Sequence, residues 1–337
     1  MKQNKYPTLR HWLAWTRWSV VVAVATCAAA CTGDDGFPKD SIAAQQPGMA
    51  LSTRSIRIEA GTDAAAEGNA PTEADSRTVA TTAQMPEGYT LYTSAYYTST
   101  EAPGADGNYF SGIPFTLTEG VWEASTPYFW PLNGLLQFLT IATDATAIPL
   151  DGRMVWAARR YTDGVRVQVP EHDGGSELLY AITQPIDCNA DIVPMTFRHA
   201  EALLEFNLRL TTGNGLTALT GIDVNDVAMG GTLNVATYPF LDVTWNIDTA
   251  AFRPRSVPGS GSASAPVTLS TTATAFTMAI VPQEQTSFTF HLLERPSTDT
   301  PWTEATPREF THRCTDRKWT AGRKYTYAVA VTPVAAP

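Results

Sequence analysis

The chain has 337 residues, 17% of them charged and 44% hydrophobic, which is too apolar for a disordered chain and long enough for about two domains. Its 47 threonines outnumber all 23 Lys+Arg, and 23 Gly with 23 Pro supply frequent turns, a composition of half-buried strands rather than long helices. The formal net charge is −10, and four basic residues (Lys2, Lys5, Arg10, Arg17) precede the first acidic one, so the remaining body is acidic and nucleic acid is excluded as a partner.

Residues 1–17 are basic and polar and lead into an uncharged run, Trp18–Ala30. That run is shorter than the roughly 20 residues a membrane-spanning helix needs. A positive start, a short apolar stretch and small residues at its end describe a secretory signal over residues 1–30. Small residues leading into Cys31 resemble a bacterial lipobox, in which Cys31 is lipidated (palmitate) and becomes the mature N-terminus, although Ala28 stands where leucine is usual. Cys27 is the rival, and an ordinary cleaved signal with a free Cys31 is the plainer alternative. Asp34-Asp35 resembles the acidic export tag of surface lipoproteins of the Bacteroidetes, which implies an outer-membrane lipid anchor facing outward.

Residues 31–50, small and polar with Pro38, Pro47 and Gly48, read as a tether. Ser55–Ala60 alternates strictly, which predicts a short strand with Ile56, Ile58 and Ala60 on one buried face. Residues 61–76 hold small and acidic residues without periodicity and read as an exposed loop ending at Arg77. Strands are expected at 91–97, 115–117, 121–124, 135–142, 153–157, 165–169 and 179–183, with a hairpin region at 103–108. A second block begins near Val193, with strands expected at 203–210, 220–227, 231–235, 243–247, 276–280, 287–293, 309–313 and 325–332, and a flexible loop at 258–266. The pattern predicts an all-β chain of two tandem β-sandwich domains, residues 51–196 and 197–333.

No catalytic constellation is legible. Histidines at 11, 172, 199, 291 and 312 are scattered, none at metal-ligand spacing with Cys or His, and nucleophile elbows and phosphate loops are lacking; no metal or cofactor is expected. Glu171-His172-Asp173 beside Gly174-Gly175 reads as a solvated turn. Trp122, Trp130 and Trp156 are either a sugar-binding face or, as is commoner in strands this apolar, core. Cys188 and Cys314 are a candidate disulfide in an oxidising compartment, or two buried unpaired thiols.

Several segments taken in order resemble the Bacteroidetes fimbrillin family, the subunits and accessory proteins of type V pili. They are Ala95-Tyr-Tyr97, Asn108-Tyr-Phe110, Tyr128-Phe-Trp-Pro-Leu132 and Gly134–Leu139, with Gln137 where Asp is usual. Val193–His199 followed by Leu203–Phe206, then Met229–Leu233, Ile280–Gln283 and Lys318–Tyr327, complete the succession. The resemblance implies transthyretin-like, Greek-key sandwiches, a cell-surface structural or accessory (tip or anchor) role in adhesion, and no enzymatic activity. It also implies that a protease cutting after an arginine removes the first strand, and that a strand of another pilus subunit fills the groove by strand addition. In this chain the removable strand is then Ile56–Ala60 and the cut Arg77, with Arg54 and Arg57 as rivals and an ordinary exposed arginine as the alternative. Tyr325, Tyr327, Val329 and Val331 alternate in what is either the last core strand or the donor. A second class stays open: a surface glycan-binding lipoprotein that does not polymerise, recognising a host or bacterial surface ligand through exposed aromatics.

Overall fold

A computed structural model describes residues 51–62, 75–76, 85, 88–98, 107–156, 164–187, 190, 192–213, 215–236, 242–314 and 318–333. Among the described residues the regular structure is strand, apart from two 3-10 turns at Thr249–Ala251 and Trp302–Glu304. All of them fall within one compact unit.

The chain opens with β1 (Leu51–Ser55), β2 (Ile58–Thr62), β3 (Asp75–Ser76), β4 (Tyr89–Thr98), β5 (Gly107–Thr118) and β6 (Val121–Ala124). It continues with β7 (Phe129–Pro131), β8 (Leu135–Asp144), β9 (Met154–Trp156), β10 (Val165–Val169), β11 (Leu179–Ile182), β12 (Ile186–Asp187) and β13 (Val193–His199). The second half supplies β14 (Ala202–Leu210), β15 (Thr217–Val227), β16 (Gly231–Ala236), β17 (Asp242–Asn246) and β18 (Arg253–Ser256). The last strands are β19 (Val267–Thr268), β20 (Thr274–Ile280), β21 (Ser287–Glu294), β22 (Thr306–Arg313) and β23 (Arg323–Val331).

In the first half β11, β13, β2, β6, β5, β4 and β8 pair in that order, and β8 also pairs with β11, so the sheet closes into a ring. Closure gives every one of those strands a partner on both sides over part of its length, which shortens the edges an open sheet would have to protect. Leu91, Tyr97, Phe115, Leu136, Phe138 and Phe197 fill the ring. The alternate residues of β4 and β8 (Tyr92, Tyr96, Leu139, Ile141) point the other way, into a second cluster with Val165, Val167, Leu233 and Val235. Burial on both faces is why 135–142 carries apolar residues at both odd and even positions, broken by the buried Gln137 and Thr140, rather than alternating.

The cover over that outer face is the sheet β17-β16-β10-β9, whose β16–β17 hairpin comes from the second half of the chain. Two glycines let the hairpin in. A Cβ at Gly230 would lie 2.9 Å from the Pro170 carbonyl, and Gly231, at φ +151°, would place one 2.7 Å from the Asn246 carbonyl oxygen. The Met229–Leu233 motif is therefore a backbone-approach requirement.

The second half is a two-sheet sandwich, β20-β14-β23-β3 against β18-β15-β21-β22, with β19 on β15. Phe206 sits at its centre, 4.8 Å edge-on from Phe288 and stacked on Tyr327 at 5.4 Å. The chain crosses from ring to sandwich at Ala200–Glu201, between β13 and β14, so residue 196 lies inside a strand and the β16–β17 hairpin returns across that border.

The described parts of two expected loops hold more fixed structure than composition suggests. The 258–266 segment is pinned by Ser260, 2% exposed, whose hydroxyl accepts the Ile222 N–H (3.0 Å) and donates to the Val257 carbonyl (2.7 Å). Of the 61–76 segment, β2 continues to Thr62, and Asp75–Ser76 forms β3 on the N-terminal end of β23. Small, polar residues hid both, because main-chain pairing needs no apolar side chain.

Candidate functional site

The ring is closed by a strand from the very start of the described chain. β2 runs parallel to β13, with Ile58 opposite Val193 and Thr62 opposite Phe197, and antiparallel to β6, where Ile58 faces Trp122. The expected strand 55–60 spans the end of one strand and the start of another, separated by Ile56-Arg57. β1 pairs with β7, Leu51 opposite Pro131 and Ser55 opposite Phe129, and the chain continues into the ring as β2. Between the two, Ile56 N–H donates to the Tyr128 carbonyl (2.6 Å) and Val193 N–H donates to the Arg57 carbonyl (2.8 Å).

Ile56 and Ile58 are 2% and 0% exposed, and Ala60 is partly buried against the same core, with Trp122, Val193 and Met195 among its members. Burying each isoleucine contributes roughly 1.5–3 kcal/mol. On the outer face Arg57 Nε lies 3.5 Å from Glu123 Oε1, both side chains about half exposed, a pair of small energetic weight. Pro194 is tolerated in β13 because the Val193 N–H already faces β2, so the next nitrogen points to the other side, where β11 reaches only Arg198 and His199.

Arg77 lies outside the described residues, as does Cys31. Arg77 follows directly on β3, whose Ser76 and Asp75 lie opposite Arg323 and Lys324 of β23. β23 itself runs parallel to β14, from Lys324 opposite Leu203 to Val331 opposite Leu210. Tyr325 and Val331 are buried, while Tyr327 and Val329 pack half-buried on the sandwich core. The Tyr325 hydroxyl accepts the Thr320 N–H (3.0 Å) and donates to the Lys318 carbonyl (2.9 Å), and Tyr327 accepts the Trp319 Nε1–H at 3.0 Å. Cys314 carries a free, half-buried thiol, pushed up to about 11 by burial, and Cys188 lies outside the described residues.

Polar residues gather where ring meets sandwich, and here the solvated-turn reading of 171–173 is corrected. His172 is buried, its Nε2 3.0 Å from Glu201 Oε1, with both side chains almost wholly enclosed. Glu201 Oε2 accepts the Leu178 N–H (2.9 Å), and its carbonyl accepts the Gly322 N–H (2.9 Å), just ahead of β23. Burial opposes charging of His172, but the Glu201 charge and hydrogen bond, helped by Asp173, outweigh it and raise the imidazole above its usual range. Protonation gives up the Gly174 N–H held by Nδ1 at 3.2 Å, a weaker interaction than the buried carboxylate. Glu171 pairs with Arg255 (2.7 Å) and Arg253, and His199 Nδ1 lies 2.9 Å from Glu177 Oε2. The signal missed in sequence was Glu201, distant along the chain and adjacent only after folding.

On the outer face of the sandwich His291 bridges Asp223 and Glu309, 2.9 Å from each, tying β15, β21 and β22 together. The Ser256 hydroxyl donates to Asp223 rather than to the histidine (2.6 Å), so the row is a cross-strand stitch and not a nucleophile with its base. Among the described residues no three of His, Cys, Asp and Glu come together in a way that could hold a metal. No helix among them is long and apolar enough to cross a membrane. Trp122 (3% exposed) and Trp130 (0%) are core, and Trp156 is half-buried against Gly112. The three tryptophans do not form an exposed platform.

The family described as Fimbrillin-like matches residues 76–337. Among solved structures, a proposed cell-adhesion protein from Bacteroides uniformis is 15% identical, with 82% of this chain and 94% of that one covered at a TM-score of 0.43. A second, from Bacteroides ovatus, is 13% identical over 83% and 92% at 0.44. The fimbrial anchor protein Mfa2 from Porphyromonas gingivalis is 10% identical over 72% and 78% at 0.28. No curated protein sequence matches the chain.

Proposed function

From the premise that the chain belongs to the Fimbrillin-like family, and is thus a pilus-related adhesion component, we propose that it is a subunit or accessory (tip or anchor) component of a cell-surface type V pilus. In this reading it is exported as a lipoprotein through Cys31 and assembles by strand exchange after proteolysis at Arg77. The observation that carries the proposal is the position of β2. Among the ring strands it is the one that lies ahead of the family match, joined to the rest through a segment that contains Arg77. Hydrolysis of the Arg77–Thr78 peptide bond adds one water across it and converts a tethered strand into a separate peptide, held by the ladder bonds of β1, β2 and β3 and by the burial of Ile56, Ile58 and part of Ala60. Its departure leaves β13 and β6 with unpaired edges that a strand of another subunit satisfies.

The test is the N-terminal residue of protein recovered from surface filaments. Thr78 is expected for assembled subunits; filaments made of chains that still begin at Cys31 would contradict processing. The anchor is tested separately: Cys31→Ser should abolish incorporation of labelled palmitate and retention in the membrane fraction, and unchanged labelling would assign the lipid elsewhere.

A further inference from the structure

β2 is held unevenly along its length. On one side it is paired with β13 from Ile58 through Thr62; on the other, its pairing with β6 is Ile58 opposite Trp122 alone. The cause lies in the β5–β6 hairpin. Glu119 and Gly120 take positive φ (50° and 84°) and turn the chain, so β6 begins at Val121 and extends no further along β2.

The side chains follow the same gradient. At the N-terminal end Ile56 and Ile58 are buried, β1 pairs with β7, and Ile56 and Arg57 are held by hydrogen bonds to Tyr128 and Val193. Toward the other end Ala60 is small and only partly buried, and Gly61 has no side chain. Local opening has its lowest free-energy cost where a segment has fewest neighbours and least buried area.

We propose, building on the strand-exchange reading above, that displacement of β2 starts at its C-terminal end. An extended segment of another subunit first pairs with the Thr196–Phe197 end of β13 as Gly61 and Thr62, which have no β6 partner among the described residues, come away from it. It runs in the direction of β2, parallel to β13, and its first main-chain bonds form while Ile56 and Ile58 still hold the old strand. Displacement then advances toward Ile56 one pair at a time, so the ring is never without a closing strand. The incoming segment needs an extended backbone, a small side chain in the Ala60 position and larger apolar ones at the Ile58 and Ile56 positions.

Two measurements test the direction. In the uncut full-length chain, amide hydrogen exchange resolved along β2 should be faster at Glu59–Thr62 than at Ile56–Ile58; equal or reversed rates would overturn the proposal whether or not exchange with another subunit occurs. In the chain cut at Arg77, the rate at which a second subunit displaces the β1–β2 peptide is then compared between variants. Ala60→Val should slow displacement about fourfold, the size expected for two half-buried methyl groups at the starting end. Ile56→Val, at the far end, should leave the rate within about twofold, because the step it affects comes after the slow one. A larger effect of Ile56→Val would also overturn the direction. If the cut parent shows no displacement at all, strand exchange itself fails, and hydrogen exchange still decides which end of β2 opens first.

Discussion

β2 and β23 both run parallel to a neighbour, and those neighbours are consecutive strands, β13 and β14, joined at Ala200–Glu201. The two are nevertheless held in different ways. β23 is paired with β14 from Lys324 to Val331 and is tied in by the Tyr325 and Tyr327 hydroxyls and by stacking on Phe206. β2 is shorter and, with Ile56 just ahead of it, buries two isoleucine side chains. Burial alone does not make a strand permanent. What separates them is the length of the ladder, eight residue pairs with β14 against five with β13, and the side-chain hydrogen bonds and ring stacking that β23 adds to it.

The sharpest way to break the comparison is to remove the cut. Arg77→Ala should leave a folded chain that does not enter filaments, read by electron microscopy and by the ladder of stable oligomers on gels; wild-type assembly would place the cut elsewhere. Core truncations come next. Phe206→Ala should cost about 3–5 kcal/mol in both uncut protein and filament subunit, because the sandwich persists in each. Ile58→Ala should cost about 2–5 kcal/mol in the uncut chain and, if assembly removes β2 as proposed, leave assembled subunits unchanged. Denaturant midpoints of the two forms check both.

A smaller effect distinguishes the junction from either strand. His172 and His291 have pKa values raised above the usual histidine range by their carboxylate partners. Their stabilisation is fully present below the unfolded value of about 6.5 and is lost as pH rises through the folded values. Stability measured from pH 6 to 9 should therefore fall, and His172→Gln should flatten the profile. The least effect belongs to the exposed pair on the outer face of β2: Arg57→Ala should change stability by less than about 1 kcal/mol.

Much of this arrangement was legible from residue order. The alternation of 165–169 and 203–210 matches β10 and β14, and Val121–Ala124 is β6. Val193–His199, absent from the expected strands, alternates as cleanly, buried and exposed in turn, and holds Pro194 at a position whose nitrogen faces away from β2. Pairings made at a distance were not legible. Ring closure through β8 and β11, the return of the β16–β17 hairpin onto β10, and the meeting of His172 with Glu201 all join segments whose local sequence carries no mark of the partner. The change of partner at Ile56-Arg57, from β7 to β13, was hidden for the opposite reason: strict alternation ran straight through it.

The account turns on whether β2 must leave, and a reversible covalent lock asks this most directly. Gly61 and Thr196 are register partners, Thr196 lies on the exposed face of β13, and neighbouring strands bring their Cα atoms within disulfide reach. Gly61→Cys with Thr196→Cys, oxidised and then cut at Arg77, should remain monomeric, and reduction should restore assembly. Filaments that form equally well from the oxidised, cut protein would show that β2 stays in place, and would contradict strand exchange at this site.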